Sequence, residues 1–310
     1  MSKALLAALC GALLALPALA DPIELALNWK AEPQFGGFYA AQVRGFYAQQ
    51  QLDVNVVEGG SGTPTIQMLA AGKVPYAIVA GDELIISRAR GAGDVVALFA
   101  TFQTSPQAIM THAERGFTAI DEVMKSDGVL LWQAGLPYAQ FFAKKYAPLT
   151  VRTAPYLGGI GNFQNDPTLS QQCFLTSEPL TAARAGLKTK TFLIAESGYN
   201  PYTTVLVTTR AHLQQHPDEA KKLVDAVRRG WEDYLRDPAP TNRKMAELNK
   251  AMNAATFDES ARAQVDLIKT AQIKQLGEMS AQRWQTLIEQ LQDLKIIRRP
   301  VAAQQVFVNM

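Results

Sequence analysis

The side chains able to do chemistry here fall just after apolar runs. Asn28 and Trp29 follow the run at 23–27, with Phe35 and Tyr39 shortly beyond. Ser61 lies in Glu58-Gly-Gly-Ser-Gly62, Asp82 follows Gly81, and Gln133 follows Trp132. Glu178 precedes Pro179, and Tyr199 and Asn200 open an irregular joint. An indole offers a flat stacking face, and Phe35 and Tyr39 would complete an aromatic wall. Amides donate and accept, so Asn28, Gln133 and Asn200 suit ring nitrogens. Asp82 and Glu178 would pair with amino or cationic groups. Backbone N–H groups around Gly59–Ser61, at a helix start, attract anions or polar oxygens. Lys30 is the one basic residue in these turns. The set favours a planar, nitrogen-bearing ligand. Each member also has a plainer reading: Trp29 as packing over a strand end, Asp82 and Glu178 as helix caps, the glycines as an ordinary turn.

Enzyme chemistry needs a nucleophile beside a base, or a metal constellation. Neither occurs. Gly-x-Ser-x-Gly is absent, and Gly158-Gly-Ile-Gly161 is a lone glycine-rich loop. His112, His212 and His216 are too scattered for ligand spacing. No catalytic residue, metal or cofactor is expected.

The elements that carry these residues alternate. Strands are expected at 23–27, 52–57, 74–80 and 95–100, with helices from about Phe38, after Pro64 and from Glu83. This βαβαβαβ order calls for a mostly parallel sheet, whose ligand sites lie outside the carboxyl ends of its strands. Thr63 is the expected N-cap of the second helix. A second series follows: strands at 108–110, 129–132, 151–154, 172–176 and 191–195, with helices at 120–125, 138–146 and 179–185. A strand at 203–208 and a helical remainder close the chain. In that remainder Trp231 and Trp284 fall on apolar helix faces and read as core. Two weaker helices are expected over 242–276. Arg88, Arg184 and the basic residues of the tail read as solvent-facing.

The 310 residues are 48% hydrophobic and 19% charged, with a net charge of +2. This is a globular composition without the basic block that nucleic acid would require. Residues 1–20 read as a cleaved signal peptide: Lys3, an apolar stretch over 4–16 too short to span a membrane, and a small-residue end before Asp21. Without it Cys173 is the lone cysteine, so no internal disulfide is expected. The joints near 101–107 and 198–203 divide the rest: a first lobe at 21–103, a second at 104–198, and a return to the first at 199–310.

Four stretches together resemble one family: Leu27-Asn-Trp…Phe35-Gly-Gly-Phe-Tyr-Ala-Ala…Arg44-Gly-Phe-Tyr, Glu58-Gly-Gly-Ser-Gly, Ala80-Gly-Asp-Glu-Leu, and Gln172-Cys-Phe-Leu-Thr-Ser-Glu-Pro179. They are similar to the periplasmic solute-binding proteins of ABC importers, in the branch of thiamine-pyrimidine precursor binders and the yeast-type pyrimidine synthase. Sulfonate, taurine and nitrate binders are more distant. The resemblance implies a type II-like periplasmic-binding fold: α/β, two mostly parallel sheets, two hinge crossings and a helical C-terminal tail. It implies a periplasmic monomer that takes a small solute between its lobes and delivers it to an inner-membrane permease. Glu178 stands at the family's Ser-Glu-Pro position. The synthase branch carries a histidine in the first turn and a cysteine cluster; here the turn holds Gln34 and Phe35, and Cys173 is alone. That departure argues against the enzyme. An anion binder is the alternative within the class, and a membrane-linked sensor would share the fold.

Overall fold

Ten strands form two five-stranded sheets in the computed structural model, which describes residues 22–60 and 62–310. The expected signal peptide and Ser61 lie outside the described residues. The first sheet contains β1 (Ile23–Ala26), β2 (Val54–Val57), β3 (Tyr76–Val79), β4 (Val95–Phe102) and, from much later in the chain, β10 (Thr203–Thr209). Their order is β2-β1-β3-β10-β4. The second contains β5 (Gln107–His112), β6 (Val129–Trp132), β7 (Arg152–Pro155), β8 (Leu169–Phe174) and β9 (Thr189–Leu193), in the order β7-β6-β8-β5-β9.

Each sheet is parallel except for one strand. β10 pairs antiparallel with β3 and β4, and β5 pairs antiparallel with β8 and β9. Both exceptions are the first strand entered after the chain changes sheet. The outward crossing lies between Phe102 and Gln107; the return runs from the short turn Ile194–Ser197 to Thr203. A strand arriving from the other sheet runs back along its neighbours, so each crossing leaves one reversed strand beside the sheet's last parallel one.

Period-two alternation sorts the first sheet's side chains onto two covered faces. Tyr76 and Ile78 face one core with Phe38, Val227 and Trp231. Ala77 and Val79 face the other with Trp284 and Leu287, and that cluster continues through Tyr199 and Tyr202 to Leu130 and Trp132 of the second sheet. Trp231 and Trp284 are fully buried, each contributing about 2–3 kcal/mol through its removal from water. They belong to the helices Pro217–Arg236 and Ala281–Asp293, where four-residue spacing of apolar side chains makes one buried stripe.

Three local expectations change. The first helix starts at the glycines, Gly36–Val43, not at Phe38. A Cβ on Gly36 would stand 2.1 Å from the Tyr234 ring, and one on Gly37 2.2 Å from the Trp231 ring. These glycines therefore admit a neighbouring helix and do not make a turn. The glycine-rich stretch near 160 runs into a short helix, Gly161–Asn165. The segment expected to hold two weak helices holds three: Ala239–Leu248, Ala254–Ala263 and Val265–Ile268.

Candidate functional site

The turns after the carboxyl ends of β1, β2 and β3 belong to the first lobe; those after β6, β7 and β8 belong to the second. After β1 the chain bends through Asn28, which is half-buried, and Trp29, whose side chain is 38% exposed. The indole N–H donates to Glu32 Oε1 (3.1 Å), and the Gln34 amide donates to Glu32 Oε2 (3.0 Å). Glu32, absent from the sequence-level candidates, thus fixes the exposed indole. Glu58, after β2, accepts from the Ala31 N–H at 2.7 Å and pins the same turn from behind. The helical tail holds its other side: Asn249 Nδ2 donates to Ala31 O (3.2 Å) and Gln264 Nε2 to Pro33 O (2.9 Å).

The expected aromatic wall shrinks to Trp29. Phe35 and Tyr39 are each 1% exposed, inside the first lobe's core beside Phe38. Pro33–Phe35 forms a short tight helical turn that runs directly into Gly36–Val43. Helical spacing then puts residues 35, 38 and 39 on one inward face. The glycine loop also differs from expectation. The Gly59 N–H donates to Trp29 O (3.0 Å) and the Gly60 N–H to Thr63 Oγ1 (2.7 Å). Both donors are used within the protein, so neither is left for an anion, and Thr63 serves the loop and caps no helix. The third donor expected there, on Ser61, lies outside the described residues.

In the second lobe Glu178 opens the helix Glu178–Arg184. Its Oε1 accepts from the Tyr156 hydroxyl at 2.5 Å and its Oε2 from the Phe174 N–H at 2.8 Å. Burial pushes its carboxyl above the usual range, against those hydrogen bonds. Burial likewise raises the Glu32 carboxyl, and the charge of Glu178, carried by the other sheet's turns, adds to it. Gln133 is exposed and locked to β8: its N–H donates to Gln172 Oε1 (2.7 Å), and Gln172 Nε2 donates to Gln133 Oε1 (2.9 Å). The Tyr138 hydroxyl also donates to Gln172 Oε1, at 2.7 Å.

Asp82, Tyr199 and Asn200 form a separate group at the crossings. The Tyr199 hydroxyl donates to Asp82 Oδ2 (2.9 Å), and the Glu83 N–H to Asp82 Oδ1 (2.9 Å). Asp82 is 9% exposed, Tyr199 is 1% exposed, and burial raises the Asp82 carboxyl. The helix begins at Gly81, so Asp82 is inside its first turn, and Glu83 accepts from the Ala80 N–H (3.0 Å). Asn200 Oδ1 accepts from the Ser105 N–H (2.9 Å) and from Arg283 (3.1 Å), which ties the crossings together. These three residues are already engaged with the protein, because a hinge brings two chain segments close enough to satisfy each other.

Asn28, Trp29, Gln133 and Glu178 are therefore the sequence-level candidates in the two facing sets of turns, joined by Glu32, Tyr156 and Gln172. Signals for the missed residues exist: Glu32 precedes a proline at a helix start, Tyr156 ends a strand, and Gln172 is polar within a buried strand. Cys173 is a buried free thiol, pushed up by burial. His112 stacks on Phe163 (3.9 Å between centroids), and His212 stacks on His216 (4.5 Å), all away from the first turn. Among the described residues no group of three or more His, Cys, Asp or Glu is arranged to hold a metal ion, and no helix is long and apolar enough to cross a membrane. Arg184 is exposed, as expected, and is also engaged across the molecule. It pairs with Glu259 (2.9 Å) and donates to Asn253 and Thr256, joining the second lobe to the helix Ala254–Ala263. Arg88 likewise pairs with Asp94 and donates to Val95 O (2.7 Å).

The model of the family described as NMT1/THI5 like matches residues 32–124 and 171–241, which takes in Glu32 and the Glu178 turn but begins after Asn28 and Trp29. A 4-amino-5-hydroxymethyl-2-methylpyrimidine phosphate synthase of Saccharomyces cerevisiae is 23% identical over 57% of this chain. The chain spans 44% of that enzyme's length. The riboflavin-binding protein RibY of Chloroflexus aurantiacus is 22% identical over 93% of this chain and 85% of its own. Among solved structures, the periplasmic aliphatic sulphonate binding protein SsuA of Escherichia coli superimposes with a TM-score of 0.68, at 11% identity, covering 92% of each chain. The fold is the α/β periplasmic-binding-protein fold, with the helical C-terminal region present.

Proposed function

The chain belongs to the NMT1/THI5-like family, and we propose that it is the solute-binding component of an ABC importer. On this reading it captures a small, amino-bearing, planar heterocycle of the pyrimidine class between its lobes and presents it to an inner-membrane permease. It works in the periplasm as a monomer, after loss of residues 1–20, with lobes divided near residues 103 and 198.

The observation that carries the reading is the pairing of an exposed indole, held by Glu32, with a half-buried carboxylate on the other lobe, Glu178. The indole supplies a stacking face. Two facing carboxylates repel until a donor-rich or cationic group sits between them. Such a ligand favours the closed state through contacts to both lobes at once, and closure is the resulting population shift. The synthase and the riboflavin binder are named for planar nitrogen heterocycles, which supports the class. A binder is preferred to a synthase because the first turn holds Glu32, Gln34 and Phe35, and all three histidines lie elsewhere.

Thermal unfolding of the signal-free protein against aminopyrimidines, thiamine, flavins, sulfonates, nitrate and pyridoxal phosphate tests this. A ligand at 100-fold over its Kd adds about 2.7 kcal/mol. A shift with an aminopyrimidine or another amino-bearing ring supports the reading. A shift with sulfonates or nitrate alone replaces it with an anion binder, and one with pyridoxal phosphate alone replaces it with the enzyme.

A further inference from the structure

The basic residues of the tail do not all face solvent. Arg283 lies in the first turn of the helix Ala281–Asp293. A cation there opposes the helix dipole, so helix stability does not account for its place. Its guanidinium spans both crossings instead. Nη1 donates to Gln103 O (2.5 Å) on the outward crossing. Nε donates to Asn200 O (3.0 Å), and Nη2 to Asn200 Oδ1 (3.1 Å) and Pro201 O (3.2 Å), on the return. The group lies 3.9 Å over the Tyr202 ring, and the Tyr202 hydroxyl accepts from the Ser280 N–H (2.9 Å).

The tail adds further ties. Leu267 O accepts from the Gln103 and Thr104 N–H groups, both at 2.9 Å, and Gln103 Nε2 donates to Glu278 O (3.0 Å). Every one of these tail anchors belongs to the segment that covers the first lobe. Beyond them toward the second lobe lies Pro106 on one crossing; on the other, Tyr199 is held by Asp82 and Gly198 O accepts from Gln290 Nε2 (2.8 Å), so the freedom left is at Gly198 itself and the residues before it. Gly198 has a φ of +96°, in the region that favours glycine. A cavity of about 340 Å³ adjoins the clasp, lined by Thr104, Thr270, Gln272 and Ile273 among others.

We propose that Arg283 is a positioning residue for closure: its planar fork holds both crossings against the first lobe, so the lobes pivot on the second-lobe side of it and the resting opening is narrow. A planar fork suits this task because its donors diverge in fixed directions toward several carbonyls, whereas an ammonium is a compact, mobile donor. Hinges elsewhere work in the same way, with a few residues absorbing the rotation while the segments beside them stay rigid. The inference rests on the lobes moving as a clamp and not on the solute proposed above.

The test uses residues 21–310, which lack Cys10, without ligand. Spin labels are placed at Lys73→Cys in the first lobe and Lys188→Cys in the second, with the buried Cys173 thiol left unlabelled, and the interlobe distance distribution is measured by pulsed electron resonance. The parent protein should give one narrow distribution. Arg283→Lys should broaden it about twofold while leaving the protein folded, because the charge remains and the fork is lost. Arg283→Ala should broaden it at least as far; if that variant fails to fold, Arg283→Lys carries the test alone. An unchanged distribution in a folded Arg283→Lys protein, with only a lower Tm, would show that Arg283 supports the fold without setting the opening, and would overturn the proposal. A parent distribution already as broad as the variant's would overturn it too. A solute panel that fails while the Arg283→Lys effect stands would remove the ligand class and leave the clasp.

Discussion

Both lobes place a carboxylate in the first turn of a helix and set a tyrosine hydroxyl on it, yet the two pairs differ in what they join. Asp82 takes its hydroxyl from Tyr199, which lies on the return crossing, so that pair ties a hinge to the first lobe. Glu178 takes its hydroxyl from Tyr156 of its own lobe, and its charge raises the Glu32 carboxyl of the other. Each has one further backbone donor. The count of protein partners is therefore the same, and the difference lies in what stands opposite. Asp82 is buried against the return crossing, whereas Glu178 is half-buried and feels the charge of Glu32. One motif serves as an internal strut in one place and, in the other, supplies the carboxylate proposed above to receive the ligand. An acidic residue at a helix start thus says little until its surroundings are known.

The largest effect that would test this contrast is at Glu178. Glu178→Gln should cost about 2–3 kcal/mol of affinity for an amino-bearing ring, the scale of a hydrogen bond to a charged group, and much less for a neutral ring of the same shape. Titration calorimetry across such a series checks it; equal losses throughout would place Glu178 with Asp82 as a strut. Asp82→Ala should instead cost about 2 kcal/mol of folding stability by leaving the buried Tyr199 hydroxyl unpaired. Denaturant unfolding measures this, and a ligand-selective loss without a stability change would reverse the two roles. Trp29→Ala should weaken ring binding by about 1 kcal/mol through lost stacking while hardly moving the unfolding midpoint, because the indole is already partly in water. Unchanged affinity in the folded variant would take Trp29 out of the site.

The smallest effect is in pH, and its two parts have opposite signs. The Glu178 carboxyl is raised above 4.5 in the folded protein. Its contribution to stability is therefore present below 4.5 and is lost as pH rises through the folded value. Ligand capture runs the other way: the charged form is the one that pairs with an amino group, so affinity should fall as pH drops through that same value. Parallel measurements of Tm for the empty protein and of Kd between pH 4 and 8 would show the two trends diverging; Glu178→Gln should flatten the Kd trend and reduce the Tm trend, to which the raised Glu32 and Asp82 carboxyls also contribute. Parallel trends would mean that Glu178 does not face the ligand.

Much of the fold was legible because strands and helices are local patterns. Val129–Trp132 and Pro217–Arg236 are found where apolar alternation and four-residue spacing put them. The site was legible in part. Trp29 and Glu178 lie in turns at the carboxyl ends of β1 and β8, since a turn after a parallel strand must lie at the sheet's carboxyl end. Phe35 and Tyr39 were misplaced because Gly36 and Gly37 suggest a bend, and only the Tyr234 and Trp231 rings lying against them explain why those positions carry no side chain. Glu32 went unnoticed because its partners, an indole and an amide, make an ordinary hydrogen-bonded turn in one dimension. Arg283 was taken for a solvated cation because its acceptors are backbone carbonyls, which carry no letter in a sequence.

The sequence by itself determined the alternation of strands and helices, the two places where the chain changes sheet, and the side chains available at the ends of the strands. These are consequences of residue-by-residue sterics and hydrophobic periodicity. Only the tertiary structure decided which carboxylate is enclosed and which is half-buried, whether the N–H groups of Gly59 and Gly60 are free, and which arginine bonds to both crossings. Those outcomes depend on contacts between distant segments, 180 residues apart for Gln103 and Arg283 and 231 for Pro33 and Gln264. Burial and hydrogen-bond satisfaction are properties of the assembled surroundings and not of the residue that experiences them.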